Sequence, residues 1–337
     1  MTYQSVIAPP VDRVTPWEWA RRNLFSGWWN TVLTAGTVLA LSLLLSTILR
    51  WAVQAHWGVV IDNRRLWLVG LLPLEFAWRA YWAGGLVAVA GLLTVVGARV
   101  RVRPRTVVGL WSGTLLGVVW LMAPVRLDQI GGLYLTLLLA VGAIALSFPM
   151  GVLAGLGRVS GLPVIRGFST MYIEVIRGIP LLTLLLWFST FVTLVSGDAL
   201  SRVERAMIAM TIFASAYVGE IVRAGIQSVP RGQVEAARAL GLSSFQTMRT
   251  IVLPQAVKNM IPSLVGQFIS LFKDTTLTVI VGLTDLMGIG RAVLAITAYL
   301  HDVTEVYVFV LVIFFMFSST MSYGSRVLER RLGLGER

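Results

Sequence analysis

The 337-residue chain contains no cysteine and only two histidines. No disulfide framework and no thiolate nucleophile or ligand can be drawn from it, and His56 and His301 stand alone without metal-ligand spacing beside either. Charge is scarce as well, at 13% of residues, and lopsided: 16 acidic side chains face 28 basic ones, for a formal net charge of +12. No nucleophile stands with a base, and no G-x-x-x-x-G-K-[ST] run cradles phosphate. The sequence therefore predicts no catalytic residues, no metal site, no cofactor held by this chain, and no P-loop chemistry of its own. What it does contain is apolar surface. Hydrophobic residues make up 56% of the chain and the mean hydropathy is +0.79, far from the balance of an ordinary soluble domain. The excess of arginine lies in the connectors between apolar runs, where positive charge sets membrane orientation, so nucleic acid is not the expected partner.

Apolar runs of spanning length follow one another with short connectors, which predicts an all-α, polytopic membrane bundle of about eight transmembrane helices. The expected spans are 31–53, 80–98, 107–124, 131–155, 181–195, 206–226, 256–281 with interruptions, and 303–324. Residues 1–30 form a polar arm with Pro9-Pro10, Pro16 and Arg21-Arg22, and Trp17, Trp19, Trp28 and Trp29 suit a membrane interface. The first run begins late and is too long for a signal peptide, so the N-terminus is expected to be retained. The loop after span one, with Asp62, Arg64, Arg65 and Glu75, is the longest candidate for exposure on the far side. Arg99, Arg101, Arg103 and Arg105 resist translocation and mark the next connector as cytoplasmic. Gly109, Gly113 and Gly117 form a small-residue stripe suited to helix packing, and Pro149 with Gly151 and Gly155 predicts a kink and a close contact. Residues 168–179 are a semi-polar approach to span five. Arginine falls mostly on one side of this alternation, which puts both termini and residues 228–255 inside. The expected divisions are 1–30, 31–128, 129–325 and a cytoplasmic tail, 326–337.

Residues 228–255 are a polar, helix-forming island. Ser228 and Pro230 give a start and Gly241 a stop, predicting a short helix over 231–240. Ser243 with Gln246 fits a capping box for a second helix, ended by Leu253-Pro254. Arg231, Glu235 and Arg238 share a face and are expected to pair. Val234, Ala237, Leu240, Leu242, Phe245 and Met248 sit among polar neighbours, a surface that something must cover. It could pack under its own bundle or receive another protein.

Glu235-Ala236-Ala237, Gly241 after three residues, and Ile251-x-Leu253-Pro254 after nine more resemble the signature of the permease subunits of binding-protein-dependent ABC importers. The resemblance extends from about Gly131 to the C-terminus through the runs Tyr172–Leu181, Ala216–Gln233 and Lys273–Leu277, which look like the polar amino acid branch of histidine and glutamine permeases. The three additional N-terminal spans resemble the general L-amino acid subfamily, whose long loop after span one is shorter here. The resemblance implies that Glu235, Ala236, Ala237, Gly241, Ile251, Leu253 and Pro254 couple the chain to an ABC ATPase. It further implies two copies of that ATPase, which bind the ATP and Mg, a second and related permease chain, and an amino acid binding protein. The implied location is the bacterial cytoplasmic (inner) membrane, the implied activity amino acid import by ATP-driven alternating access. An ion-coupled secondary transporter is the alternative, but it would need coupling carboxylates within spans, and few are present.

Ionisable residues inside spans are costly, which makes them candidates for a substrate pathway. Glu220 and Arg223 share a face of span six, and an internal pair is the alternative there. Lys273, Asp274 and Thr275 interrupt span seven near its end, where adjacent charges cannot neutralise each other and broken helices commonly build transport sites. They could equally mark the outer end of the span. Glu174 and Arg177, three apart ahead of Pro180, are expected to form a structural pair.

Overall fold

Several helices of this chain begin where the sequence supplies a capping box or a proline. Thr15 with Glu18, Ser201 with Glu204 and Ser243 with Gln246 satisfy first-turn N–H groups reciprocally, and Pro16, Pro104, Pro163 and Pro254 stand at first-turn positions where no N–H partner is lost. The computed structural model describes residues 15–99 and 102–333. Pro9-Pro10, Arg13, Arg101 and Arg337 fall outside the described residues.

The chain divides between His56 and Trp57 into two units. The first holds α1 (Pro16–Asn23) and α2 (Trp28–Gln54). Trp17 and Trp19 of α1 are exposed, and α2 buries none of its residues, an apolar helix on every side.

The second unit runs from Trp57. It contains α3 (Gly58–Asp62), α4 (Arg64–Val69), α5 (Leu74–Arg99), α6 (Pro104–Met122), α7 (Gly132–Arg158), α8 (Pro163–Gly178), α9 (Leu181–Ser196) and α10 (Arg202–Gln227). After these come α11 (Arg231–Ala239), α12 (Ser244–Thr247), α13 (Leu253–Asp274), α14 (Leu286–Leu294) and α15 (Val303–Arg331). Among the described residues, seven helical stretches are long and apolar enough to cross a membrane; α8 and α9, bent by 97° at Gly178–Pro180, bring the count to eight if the pair is one span. The expected number of spans is met.

α7 and α10 lie at the centre and run parallel, because glycines of α7 meet successive turns of α10 in the same order. A Cβ on Gly142 would touch Met207, on Gly151 Val218, and on Gly155 the carbonyl of Gly219. Close approach of two backbones through small residues is how membrane helices gain dispersion energy without a hydrophobic drive. Pro149 sits inside α7, which continues through it as a single helix. In α6, by contrast, the glycine stripe is not a contact: only Gly117 approaches a neighbour, Leu86, while Gly109 and Gly113 face open space. α6 instead meets α5 through a bond from Trp111 Nε1 to Thr94 Oγ1, 3.0 Å.

The loop after span one keeps Asp62, Arg64 and Glu75 exposed, as expected, with Arg65 half-buried. It folds into α3 and α4, and Val59, Trp67, Val69 and Leu72 are buried, Trp67 against Phe309 at 4.9 Å. Gly70 and Gly132, both at positive φ (64° and 60°), let two chain segments touch: a Cβ on Gly70 would fall 2.4 Å from Gly131 Cα. The content of Trp, Leu and Val explains the insertion, since these side chains gain more from burial than the loop's few charges lose.

The candidate coupling elbow and the charged cluster

α11 ends in the hydrogen-bond pattern that a glycine stop predicts. Leu242 N donates to Ala237 O (3.1 Å) and Gly241 N to Arg238 O (2.9 Å), with Gly241 at φ 78°, which together make a Schellman cap. Ser243 then accepts from Gln246 N and opens α12.

Leu253-Pro254 does not end the second helix. A π-turn, Met248–Val252, carries α12 directly into α13, with Leu253 N bonded to Met248 O. The i→i+5 register leaves the next N–H without a required partner and widens the helix, so Pro254 loses no hydrogen bond and its ring clears the preceding turn. The elbow is thus joined rigidly to the span that follows it. Gln255 Nε2 bonds Gln233 Oε1 at 2.5 Å, tying α13 back to α11.

The elbow's apolar residues split into two faces. Ala237 is buried to 1% and Val252 to 5% exposure, and Val234 and Met248 pack against the cluster that joins Val252 to α10 and α13. Leu240 and Phe245 point away, 81% and 72% exposed, beside exposed Glu235, Ala236 and Gly241 and half-buried Ile251 and Leu253. The expected packing under the chain's own bundle holds for one face, and the other is left exposed. Glu235 forms no ion pair with Arg231 or Arg238 among the described residues, so its carboxylate is left to solvent or a partner.

Above the elbow, charges from three helices converge on Glu220. Arg158 Nη1 of α7 lies 2.8 Å from Glu220 Oε2; Arg223 reaches the two carboxylate oxygens at 2.5 and 2.9 Å; Arg177 of α8 is 3.9 Å away and stacks over the Tyr217 ring. Arg158 also bonds Glu174, and Arg223 bonds Gln227. The expected pairing of Glu174 with Arg177 is therefore replaced by pairing between helices: at their spacing each side chain finds a better-placed partner across the α7–α8–α10 junction. Arg158 is the residue that sequence reasoning missed, because its partners lie 16 and 62 positions away. Glu220 also borders a cleft of about 300 Å³ between α10 and α13, with Ser228, Asn259 and Ser263, where Asn259 Nδ2 donates to Ser228 Oγ at 2.8 Å.

At the other end of α13 the helix breaks after Asp274 and continues as a 3₁₀ stretch, Thr275–Val281. Thr275 is fully buried, its hydroxyl spent on Phe272 O at 2.7 Å, and Thr276 Oγ1 donates to Lys273 O. Lys273 is exposed and Asp274 half-buried; neither makes an ion pair among the described residues. The 3₁₀ stretch leads to a knot at the start of α14. Asp285, fully buried, caps α14 by accepting from Gly288 N at 2.9 Å, while Gly132 N donates to Thr284 O and Leu286 N to Thr136 Oγ1. Burial pushes the Asp285 carboxyl up to about 6, the backbone donors at Gly288 and Met287 opposing it in part. Among the described residues, no cluster of side chains has the composition of a metal site.

A helix-elbow-helix held under a bundle of spans defines a class, and residues 147–333 match the family model described as the binding-protein-dependent transport system inner membrane component. The chain belongs to that family. It is similar to the inner membrane amino-acid ABC transporter permease protein YhdY of Escherichia coli, with 36% identity covering 94% of this chain and 93% of the relative. It is also similar to the glutamate/glutamine/aspartate/asparagine transport system permease protein BztC of Rhodobacter capsulatus, at 34% identity over 96% and 95% of the two chains. Among solved structures, an amino acid ABC transporter crystallised with histidines shares 35% identity and a TM-score of 0.56, covering 59% of this chain and 92% of that one.

Proposed function

We propose that this chain is the membrane-spanning permease subunit of an ATP-driven amino acid importer in the inner membrane, coupled to its motor through the elbow. The single observation that carries the coupling is the division of the elbow's faces. One face is welded to α10 and α13, while Glu235, Ala236, Leu240 and Phe245 stand free at the tip. A surface of large apolar side chains rimmed by charge on an otherwise polar loop fits a protein partner. Two ABC ATPase subunits, which would hold the ATP and Mg, supply that partner; the chain itself contributes no catalytic group. A second, related permease and an amino acid binding protein complete the assembly, with both termini and the elbow on the cytoplasmic side. Amino acids are the cargo, as the names of both full-length relatives indicate for those proteins.

Closure of the ATPase pair would pull on α11, and the π-turn passes that displacement to α13 without a flexible joint. The Glu220 cluster carries it to α7 and α8. Glu220 and Arg223 act here as a brace beside the path, whereas Lys273, Asp274 and Thr275 mark where the path meets a broken helix.

The test is uptake of labelled amino acids by membranes containing the assembled transporter with Glu235→Lys or Gly241→Asp. Both variants should insert and both should lose ATP-dependent uptake. Normal uptake in either would overturn the coupling, and uptake that persists without the ATPase yet collapses with an ionophore would overturn the class.

A further inference from the structure

The first unit of the chain carries more aromatic surface than its packing uses. Trp17, Trp19, Phe25, Trp28 and Trp29 are all exposed, and Trp28 stacks on Trp29 with ring centroids 4.4 Å apart. Within α1 the side chains sort by face: Glu18, Arg21 and Arg22 fall within about 100° of one another around the axis, and Trp17, Trp19, Ala20 and the C-cap Leu24 take the remainder. Asn23 lies among these apolar positions, its Nδ2 donating to Trp19 O at 2.8 Å. Arg21 and Arg22 are exposed, and neither makes an ion pair among the described residues. Glu18 turns to the other end of α1, where it accepts from Thr15 N at 3.1 Å.

The level of α1 is set by its attachment to α2. Asn30 and Arg50 are 20 positions apart with no charged side chain between them, which in a helix is about 30 Å, the thickness of a hydrocarbon core. Trp28 and Trp29 therefore stand just outside that core. Thr34 Oγ1 donates to Leu24 O at 2.9 Å and Asn30 Nδ2 to Ser26 Oγ at 2.6 Å, so the chain turns back over 24–27 and the end of α1 is held beside the first two turns of α2. Ala20, Leu24 and Thr34 are half-buried there. The bare indoles of both helices thus share the level of the lipid headgroups, where Trp is favoured.

We propose that α1 lies along the membrane surface at the N-terminal end of α2, and that Arg21 and Arg22 bind the phosphates of anionic phospholipid headgroups with Trp17, Trp19, Trp28 and Trp29 seated around them. A guanidinium offers two parallel N–H donors to a phosphate, and a juxtamembrane arginine gains from the negative potential of an anionic leaflet. The attraction between basic groups and the last turn of a helix accounts for where the arginines stand. It does not account for the indoles left bare beside them. An apolar half-face joined to a span at headgroup level meets lipid first. This surface is separate from the elbow, and its occupant depends neither on the cargo nor on ATP.

The absence of native cysteine makes a local test possible. A nitroxide on Asn23→Cys, in the full chain held in nanodiscs of phosphatidylcholine alone or with phosphatidylglycerol in increasing proportion, reports both depth and motion at α1. The label should collide more often with oxygen than with a water-soluble nickel chelate, and its motion should slow as phosphatidylglycerol is added. Arg21→Gln with Arg22→Gln should cut that slowing roughly fivefold or more, as the loss of two charges at an anionic surface implies. Arg21→Lys with Arg22→Lys should retain most of it, and about 1 M salt should abolish it. Identical spectra in the two lipids, or an undiminished response in the glutamine variant, would overturn the headgroup assignment. A label open to the nickel chelate in both lipids would overturn the membrane position, and slowing that requires added ATPase subunits instead of phosphatidylglycerol would give the surface to a protein.

Discussion

Gly155 of α7 and Val222 of α10 are so close that a Cβ on the glycine would lie 2.7 Å from the valine's Cβ and 2.5 Å from Gly219 O. Backbone on one side and a β-branched side chain on the other leave nothing flexible to yield. Gly155→Val should destabilise the protein by about 2–3 kcal/mol or prevent its assembly, whereas Gly161→Ala, with open space around it, should be neutral. Thermal unfolding in detergent of both variants measures the difference, and equal melting temperatures would contradict the close α7–α10 contact.

The two faces of the elbow should respond oppositely to substitution. Leu240→Ala and Phe245→Ala remove exposed side chains, so stability should change by less than about 0.5 kcal/mol, while affinity for the ATPase subunit falls by roughly tenfold or more. Ala237→Asp should do the reverse and unfold the elbow, because it would bury an unpaired carboxylate. Co-purification of the ATPase and melting temperature, measured on the same samples, separate the outcomes.

Arg158 and Glu220 should be coupled far more strongly than the surface pair Arg126–Asp128. The first pair is 17% and 21% exposed and shares further partners; the second is 77% and 45% exposed. A double-mutant cycle with Arg158→Met and Glu220→Gln should give a coupling above about 1 kcal/mol, and the surface pair less than about 0.5 kcal/mol. Similar values for the two pairs would remove the cluster from the load path between elbow and bundle.

Asp285 should make stability depend on pH with a definite sign. Its folded pKa of about 6 is raised above the ordinary 3.8, so the folded state binds the proton more tightly than the unfolded one. The stabilisation from protonation is complete below about pH 4 and disappears as pH rises through 6. Asp285→Asn keeps an acceptor for Gly288 N without the charge, and should flatten this dependence, worth on the order of 2–3 kcal/mol across the window. Melting curves between pH 4 and 7.5 test it, and a wild-type curve that stabilises on rising from pH 4 to 6 would refute the burial account.

Much of the design is local and is visible in the order of residues. Apolar runs of about 20 residues can only be spans, because backbone polar groups in lipid must be satisfied within the segment. Pro180 after Gly178 and Lys273-Asp274 mark two breaks at their observed places. Gly241 followed by the Ser243–Gln246 box specifies a stop and a start, since caps are made by residues a few positions apart. These features concern neighbours within one or two turns, and sequence spacing carries them.

Three matters were decided only by the tertiary structure. Val59, Trp67, Val69 and Leu72 of the loop after span one are buried, where Gly70 and Gly131 let backbones distant in sequence touch. Pro254 continues a helix because a π-turn shifts the hydrogen-bond register ahead of it. Glu220 is held by arginines from α7 and α8 as well as by its own neighbour Arg223. Each depends on which surfaces meet after packing. The sequence by itself determined the membrane class, the elbow and the family signature; only the packed bundle decided which charges, like those around Glu220, are neutralised across helices.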